Sequence, residues 1–178
     1  DLNTTASNNT AVGYQAGYTN ATGTQVTYLG YLSGQYATGS YNTGVGYNAA
    51  KGTSGSATAD YNTAVGGAAL AAFTSGERNT AVGVAALAAN TAGADNSALG
   101  MYALLSNTTG VHNSAFGYSS LLQNTTGVFN TALGDSSLPY ATTASNNTAV
   151  GYQAGYYITT GSKNTILGDR KSTRLNSS

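Results

Sequence analysis

Residues 79–83 read Asn-Thr-Ala-Val-Gly, and residues 130–134 repeat this motif as Asn-Thr-Ala-Leu-Gly. Ten such motifs follow one another, and we call the glycines that close them the repeat glycines. Counted in residues, the steps between these glycines are 17, 16 and 20, and then 17 six times in a row. A short fixed period is typical of stacked identical units rather than of a globular core around a pocket. The repeat glycines are Gly13, Gly30, Gly46, Gly66, Gly83, Gly100, Gly117, Gly134, Gly151 and Gly168.

Two polar columns keep the spacing of the repeat glycines. The hydroxyl column is the Thr or Ser that stands three residues before the glycine in all ten units. The Asn column stands four residues before it in nine units, with Val26 as the exception. We expect the Asn side chains to form a structural ladder, each amide bonding to the same amide in the next unit. The Asn column contains Asn9, Asn42, Asn62, Asn79, Asn96, Asn113, Asn130, Asn147 and Asn164.

The motif itself predicts a short strand followed by a bend. The Thr-Ala-Val stretch is β-branched and alternating, so we expect Thr and Val to share one buried face while Ala takes the other. The glycine predicts a positive φ or a close approach of two backbones. Because one unit is long enough for about two short strands and two turns, we predict an all-β fold. It is a parallel β-solenoid (β-roll) of about ten 17-residue coils.

The alternative architecture has one strand and one helical turn in each unit. Residues 68–72 and 102–105 have locally helical sequences. Repeats of that kind need about 20–29 residues, however, which is more than this chain provides in most units. The solenoid is therefore the preferred prediction.

Composition limits the classes of function. Charged residues make up 7% of the 178 residues, the formal net charge is zero and there is no cysteine. A neutral chain without a basic stripe is not typical of nucleic-acid binding. The acidic residues occupy different positions of the repeat, and His112 is the single histidine. We therefore expect no catalytic pair, no metal site, no cofactor and no enzymatic activity. The longest apolar stretch, residues 64–73, is too short to span a membrane.

The repeat also suggests how the chain is organised. Residues 1–168 form a single array, and residues 142–156 repeat residues 4–18 without a change, so we expect a segment of a longer protein. Residues 169–178 break the pattern. They resemble the in-frame translation of a sequencing adapter, and we expect them to be a non-native tail.

One stretch of the array is irregular. The two steps that depart from the common period both lie between Gly13 and Gly66, where tyrosines are frequent. Tyr14, Tyr31 and Tyr47 directly follow the repeat glycine in three successive units, and they are candidates for contact with a glycan or a surface. The alternative is a purely structural aromatic ladder or an inter-chain contact. Three sequons share a different column and are candidate glycosylation sites, namely Asn20, Asn107 and Asn124.

The pattern Ser/Thr-Ala-Val-Gly-x-x-Ala, present at residues 10–16 and 148–154, resembles the head repeats of trimeric autotransporter adhesins of the YadA-like family. It also looks like the repetitive shafts of phage tail fibres. The resemblance covers residues 1–168 and implies a left-handed β-roll, side-by-side association of three chains and adhesion to surfaces.

From the repeat and this resemblance we expect an extracellular, non-enzymatic fibre segment of a surface adhesin or surface filament. It would self-associate as a homotrimer or end to end. The alternatives are a phage or virus tail-fibre shaft, and a carbohydrate-binding fibre that uses the tyrosine stripe. The expected location is a cell surface or a virion fibre.

Overall fold

The computed structural model describes residues 5–168, so the tail predicted at residues 169–178 lies outside the described residues. One strand of three residues comes from each unit, and the ten strands form one parallel sheet in chain order. Equivalent residues pair, as Thr63 does with Thr80 and Val65 with Val82. The predicted all-β parallel solenoid is therefore confirmed. The strands are β1 (Thr10–Val12), β2 (Thr27–Leu29), β3 (Thr43–Val45), β4 (Thr63–Val65), β5 (Thr80–Val82), β6 (Ser97–Leu99), β7 (Ser114–Phe116), β8 (Thr131–Leu133), β9 (Thr148–Val150) and β10 (Thr165–Leu167).

The secondary structure of each coil differs from the two short strands that the sequence predicted. A coil contains one named strand, and the remainder consists of turns and bends. The helical alternative is also wrong, because residues 68–72 and 102–105 lie in turns. Residues 5–168 contain no helix that is both long enough and apolar enough to cross a membrane.

The turns are built from backbone of alternating handedness. In a regular coil Ala85 has a φ of 55° and Leu87 a φ of 51°, both in the left-handed region. The N–H of Ala85 donates to Gly67 O in the preceding coil (2.9 Å), and the N–H of Leu87 donates to Ala103 O in the following coil (3.0 Å). The alternation of handedness thus points the backbone N–H groups toward both neighbouring coils. It also strains the backbone, because each non-glycine residue in the left-handed region costs about 1–2 kcal/mol.

Replacing Ala85 with glycine is expected to relieve this strain. Ala85→Gly should raise the free energy of unfolding by about 0.5–1 kcal/mol, because glycine adopts a positive φ without a steric clash. Ala88→Gly is the matched control, since Ala88 has no left-handed φ. The control should lower the free energy of unfolding by about 0.5–1 kcal/mol. Urea denaturation of both variants measures the difference, and equal destabilisation by the two would contradict this account of the turns.

The orientation of the strands is the reverse of the prediction. From β2 to β10 the middle residue is buried, while the first and third residues are partly or fully exposed. Thr and Val/Leu therefore face outward, and Ala faces the core. Inside a regular coil such as that of Ala81, the space is already filled by Asn79 and Leu87, both buried. The small residue of the motif is the one that fits inside.

Candidate functional site

The repeat glycines bring neighbouring coils into backbone contact. Each has a φ between 106° and 137°, outside the range that L side chains adopt. A Cβ atom on Gly66 would lie 2.7 Å from the carbonyl of Gly83 in the next coil. The same close approach recurs at the other repeat glycines through Gly151. Only glycine fits this column, because any side chain would push two coils apart.

The Asn column lies inside the solenoid and joins coil to coil. The Oδ1 atom of Asn79 accepts from the backbone N–H of Asn96 (3.0 Å) and from its Nδ2 (3.1 Å). The Nδ2 of Asn79 also donates to Gly93 O (2.8 Å). Asn62 makes the equivalent contacts with Asn79 and with Gly76. Each of these rungs is thereby tied to the next by side-chain and backbone bonds in a dry interior, where unpaired amides would be costly.

A second, shorter Asn ladder went unrecognised in the sequence, where two of its members, Asn107 and Asn124, appeared as sequons. Asn107 donates to Asn90 Oδ1 (2.8 Å), and Asn124 donates to Asn107 Oδ1 (2.7 Å). The sequon residues Asn107 and Asn124 are fully buried, and Asn20 is nearly so. Their amides face the core, so they are not accessible to a glycosyltransferase in the folded chain. The signal for a ladder was that Asn90, Asn107 and Asn124 follow one another at the period of the repeat.

The second ladder ends with an unsatisfied atom. The buried Oδ1 of Asn124 has no hydrogen-bond partner, and the equivalent residue of the next coil is Ala141. In the coils that carry the ladder, glycine follows Asn by three residues. A Cβ on Gly127 would overlap Asn124 Oδ1. Where Ala141 replaces Asn, the glycine is replaced as well, by Ala144.

Extending this ladder by one rung is expected to need two changes. Ala141→Asn alone should lower the free energy of unfolding by about 1–3 kcal/mol, because its amide would collide with the Ala144 methyl. Ala141→Asn with Ala144→Gly should recover the stability of the wild type to within about 1 kcal/mol, since Asn124 Oδ1 acquires a donor while the Oδ1 of the added residue becomes the unpaired end of the ladder. A double-mutant cycle measured by urea denaturation tests this, with Ala144→Gly as the remaining corner. Additive effects would rule out the proposed link between the two positions.

The irregular stretch has a different core from the regular coils. The middle residue of β2 is Tyr28, which is fully buried, where most coils have alanine. Two glycines, Gly17 and Gly34, replace the leucines of the regular coils. A Cβ on Gly34 would overlap the Tyr28 ring. The coil of β2 thus has glycine plus tyrosine where a regular coil has leucine plus alanine, which keeps the interior filled.

Tyr28 carries a hydroxyl that burial leaves without a hydrogen-bond partner. Burial raises the pKa of this phenol above its ordinary value, because the phenolate would be desolvated; the nearby Asn42 side chain offsets a part of this effect. In the unfolded chain the phenol ionises near its ordinary pKa of about 10. The raised folded pKa therefore predicts that stability falls as the pH rises past about 10, by up to about 1.4 kcal/mol per pH unit.

Tyr28→Phe tests this alkaline effect. At pH 7 the variant should unfold within about 1 kcal/mol of the wild type, because the hydroxyl it removes makes no hydrogen bond. Above a pH of about 10 the variant should be the more stable of the two, by a margin that widens with pH. Chemical denaturation at several pH values gives this difference, in which the contributions of the other tyrosines cancel. A margin that does not change with pH would be inconsistent with an un-ionised buried Tyr28.

The outer face of the sheet carries the hydroxyl column. No side-chain hydroxyl of this column, from Thr10 to Thr165, is hydrogen-bonded within residues 5–168. A different set of threonines lies in the turns and is used internally. Thr91 and Thr108, for example, each donate to the carbonyl of the equivalent threonine in the next coil. The hydroxyls of the outer face are therefore free for an external partner.

Beside the hydroxyl column runs an apolar stripe, which we define as the residues directly before and directly after each repeat glycine. Thirteen of the 18 large hydrophobic side chains that are exposed belong to this stripe. Asp135 is the one charged residue of the stripe within the described part of the chain. Exposed apolar area that is contiguous marks an interaction surface in a soluble protein. The exposed members are Val12, Tyr14, Leu29, Tyr31, Tyr47, Val65, Val84, Leu99, Met101, Tyr118, Leu133, Tyr152 and Leu167.

The three tyrosines predicted as a contact surface form a continuous stack in this stripe. The ring centroids of Tyr14 and Tyr31 are 5.3 Å apart at an interplanar angle of 15°. Those of Tyr31 and Tyr47 are 5.5 Å apart at 5°. The faces of Tyr31 are thus covered by its neighbours, which leaves its edge to solvent. In the next coil Gly67 follows the repeat glycine, so no side chain at that position covers the outer face of Tyr47.

Charged side chains are few on the described surface. Arg78 binds Asp95 through Nε (2.7 Å) and Nη2 (3.1 Å) and also contacts Glu77. Hydrogen bonding to Arg78 lowers the pKa of Asp95. His112 stacks on Phe129 with ring centroids 4.9 Å apart. Within residues 5–168 no group of three or more His, Cys, Asp or Glu residues is placed to hold a metal ion.

In comparisons with known proteins, no family model matches this chain, and neither does any curated protein or solved structure. The likeness to adhesin heads and fibre shafts is therefore a likeness of the repeat pattern alone.

Proposed function

We propose that this chain is a spacer segment of an extracellular fibre, most closely a surface adhesin or surface filament, and that it has no enzymatic activity. The observation that carries the proposal is the in-register ladder of ten parallel strands. The regular coils repeat one interior, in which the glycine, Asn and Ala columns contact the neighbouring coils. Stability is then a sum of nearest-neighbour terms, and length can be changed without changing the fold.

A change of length tests this role. Deleting residues 84–151 removes four regular coils and joins Gly83 to Tyr152 with the period intact. In the full-length protein the fibre should shorten by about 19 Å, since coils are about 4.8 Å apart. Attachment of the fibre tip should be kept. Electron microscopy measures the length, and a binding assay on the intact cells or particles measures attachment.

The control deletion is out of phase. Removing residues 84–143 takes away a similar length but joins two different points of the repeat. This variant should misfold at the junction and lose the fibre. Loss of attachment in the in-phase variant, with the fibre still folded and shortened, would refute a spacer role.

Surface labelling with an antibody on unbroken cells or virions tests the proposed location. The sequence that flanks the array distinguishes an adhesin from a virion shaft.

Glycan binding is a second candidate, favoured by one observation. Gly67 leaves a gap in the apolar stripe beside the exposed ring of Tyr47. An open aromatic face is suited to stacking against a sugar ring. Tyr47→Ala should abolish any binding on a glycan array, and Gly67→Tyr should reduce it by filling the gap. Binding that survives both substitutions, or no binding by the wild type, would count against this candidate.

A further inference from the structure

We infer that the outer face of the sheet is an ice-binding surface, on which the hydroxyl column and the apolar column beside it adsorb to the lattice of crystalline water. The apolar column is the residue directly before each repeat glycine, which is Val, Leu or Phe in all ten coils. This activity goes beyond the proposed fibre function, because a spacer needs no ligand along its side. The sequence alone argued against such a surface, since it placed both columns in the core.

The two columns form a regular array in two dimensions. Thr63 pairs with Thr80, and Thr80 with Ser97, so each coil adds one hydroxyl at the strand separation of about 4.8 Å. Along each strand the hydroxyl and the apolar side chain lie two residues apart, which is about 6.6 Å. Both intervals recur from coil to coil, because the strands stay in exact register.

The contacts between coils favour a flat face. Before β6 the N–H of Ser97 donates to Asn113 O in the following coil (2.8 Å), and after it the N–H of Gly100 donates to Val82 O in the preceding coil (2.8 Å). Neighbouring coils are thus equally spaced at both ends of the strand. Flat sheets of many strands are stabilised by stacking or by side-chain ladders. The repeat glycines and the Asn column provide both kinds of contact here.

The chemistry of the two columns suits an uncharged lattice of hydrogen-bonding groups. Neither column contains a charged residue between Thr10 and Leu167. The hydroxyls of the column make no hydrogen bond within residues 5–168. A hydroxyl both donates and accepts, as a water molecule of the lattice does. The apolar side chains between the hydroxyls gain by leaving liquid water.

The dimensions of the array favour ice. Hexagonal ice repeats along one crystal axis at an interval close to the separation of two strands, and along the perpendicular axis at an interval similar to the length of two strand residues. A column of hydroxyls in register can therefore lie beside successive lattice oxygens. Each contact is weak, but the contacts form together on one rigid face, so adsorption should strengthen steeply with the number of coils.

Other extended partners suit the two columns less well. An ionic mineral surface would be recognised by charged side chains, which both columns lack throughout the described residues. A crystalline polysaccharide would be recognised by aromatic rings that stack on its sugars. Phe116 is the one aromatic member of the two columns. An ordered lattice of neutral hydrogen-bonding groups is the partner that this composition matches.

Measurements of ice growth with the purified 178-residue protein test the inference. At micromolar concentration the wild type should facet a small ice crystal, separate its freezing temperature from its melting temperature, and slow recrystallisation. Thr80→Tyr with Thr131→Tyr should reduce these effects severalfold, because two rings would stand above the flat face. Both threonines are exposed, so the circular dichroism spectrum should not change.

Two further variants sharpen the test. The matched control is Thr109→Tyr with Thr126→Tyr, which adds the same two rings at exposed positions away from the strands and should leave the activity on ice unchanged. The in-phase deletion of residues 84–151 shortens the face by four coils. It should reduce the activity severalfold at equal molar concentration, because fewer lattice positions are occupied at once.

Three results would overturn the inference. These are a wild type that neither shapes ice nor slows its recrystallisation, an outer-face variant as active as the wild type, or a control that loses as much activity as the outer-face variant. The length and attachment of the fibre are measured without ice, so failure of the ice-binding surface and failure of the spacer role are distinguishable.

Discussion

Gly66→Ala is expected to lower the free energy of unfolding by about 3–5 kcal/mol, the combined cost of a strained φ and of a steric overlap. The new Cβ would lie 2.7 Å from the carbonyl carbon and oxygen of Gly83, and real Cβ atoms do not approach backbone this closely. The φ of Gly66 is 126°, which alanine does not adopt without strain. Because the next coil is backbone at that point, no side-chain movement can relieve the overlap.

The adjacent residue provides the matched control for this experiment. A Cβ on Gly67 would have nothing within 4 Å, and Gly67 has no left-handed φ. Gly67→Ala should therefore change the free energy of unfolding by no more than about 0.5–1 kcal/mol. Urea denaturation of the two single variants gives the comparison. If both substitutions are tolerated equally, the close approach of coils at the repeat glycines is wrong.

Asn96→Ala is expected to have a comparable effect, about 3–5 kcal/mol of lost stability. Asn96 is fully buried, and its Nδ2 donates to Asn79 Oδ1 (3.1 Å) and Gly110 O (2.8 Å). Its Oδ1 accepts from the backbone N–H of Asn113 (3.0 Å) and from the Nδ2 of Asn113 (3.1 Å). Alanine removes these bonds and leaves the Gly110 carbonyl and the Asn113 N–H buried without that partner.

Substituting the neighbouring outward-facing residue distinguishes the contribution of the Asn ladder to stability from that of the strand. Ser97 begins β6, and its hydroxyl has no hydrogen bond within the described part of the chain. Ser97→Ala should change the free energy of unfolding by less than about 0.5 kcal/mol. Hydrogen exchange in the two variants adds a local readout, since loss of a rung should first expose amides on both sides of the coil that contains Asn96. Equal effects of the two substitutions would show that the Asn amides do not hold the coils together.

The fixed period was enough to predict the sheet, because a constant step along the chain can place equivalent residues only in parallel register. The positions of the repeat glycines and of the Asn column follow from the same step. The orientation of the strands did not follow from it. Alternation places Thr and Val on one face and Ala on the other, but it does not say which face is buried. The interior volume determines this, because only Ala81 fits beside the buried Asn79 and Leu87.

Other features depend on contacts that the motif does not contain. Ala85 and Leu87 give no signal for a left-handed φ, which arises because their N–H groups must reach opposite neighbours. The exchange of Tyr28 against Gly34 lies within one coil and becomes visible only when the ring is seen to fill the space next to the glycine. The irregular stretch therefore differs from the rest of the array mainly in how its core is filled, while its outer tyrosines continue the apolar stripe.

A density map of the full-length protein in its native assembly tests the central claim most directly. The account predicts density for residues 5–168 as a rod, with layers spaced by about 4.8 Å along its long axis. The Asn amides should stack in a column at its centre from Asn42 to Asn164. A compact particle without axial layers, or strands that run along the rod instead of across it, would contradict the stacked-coil fibre.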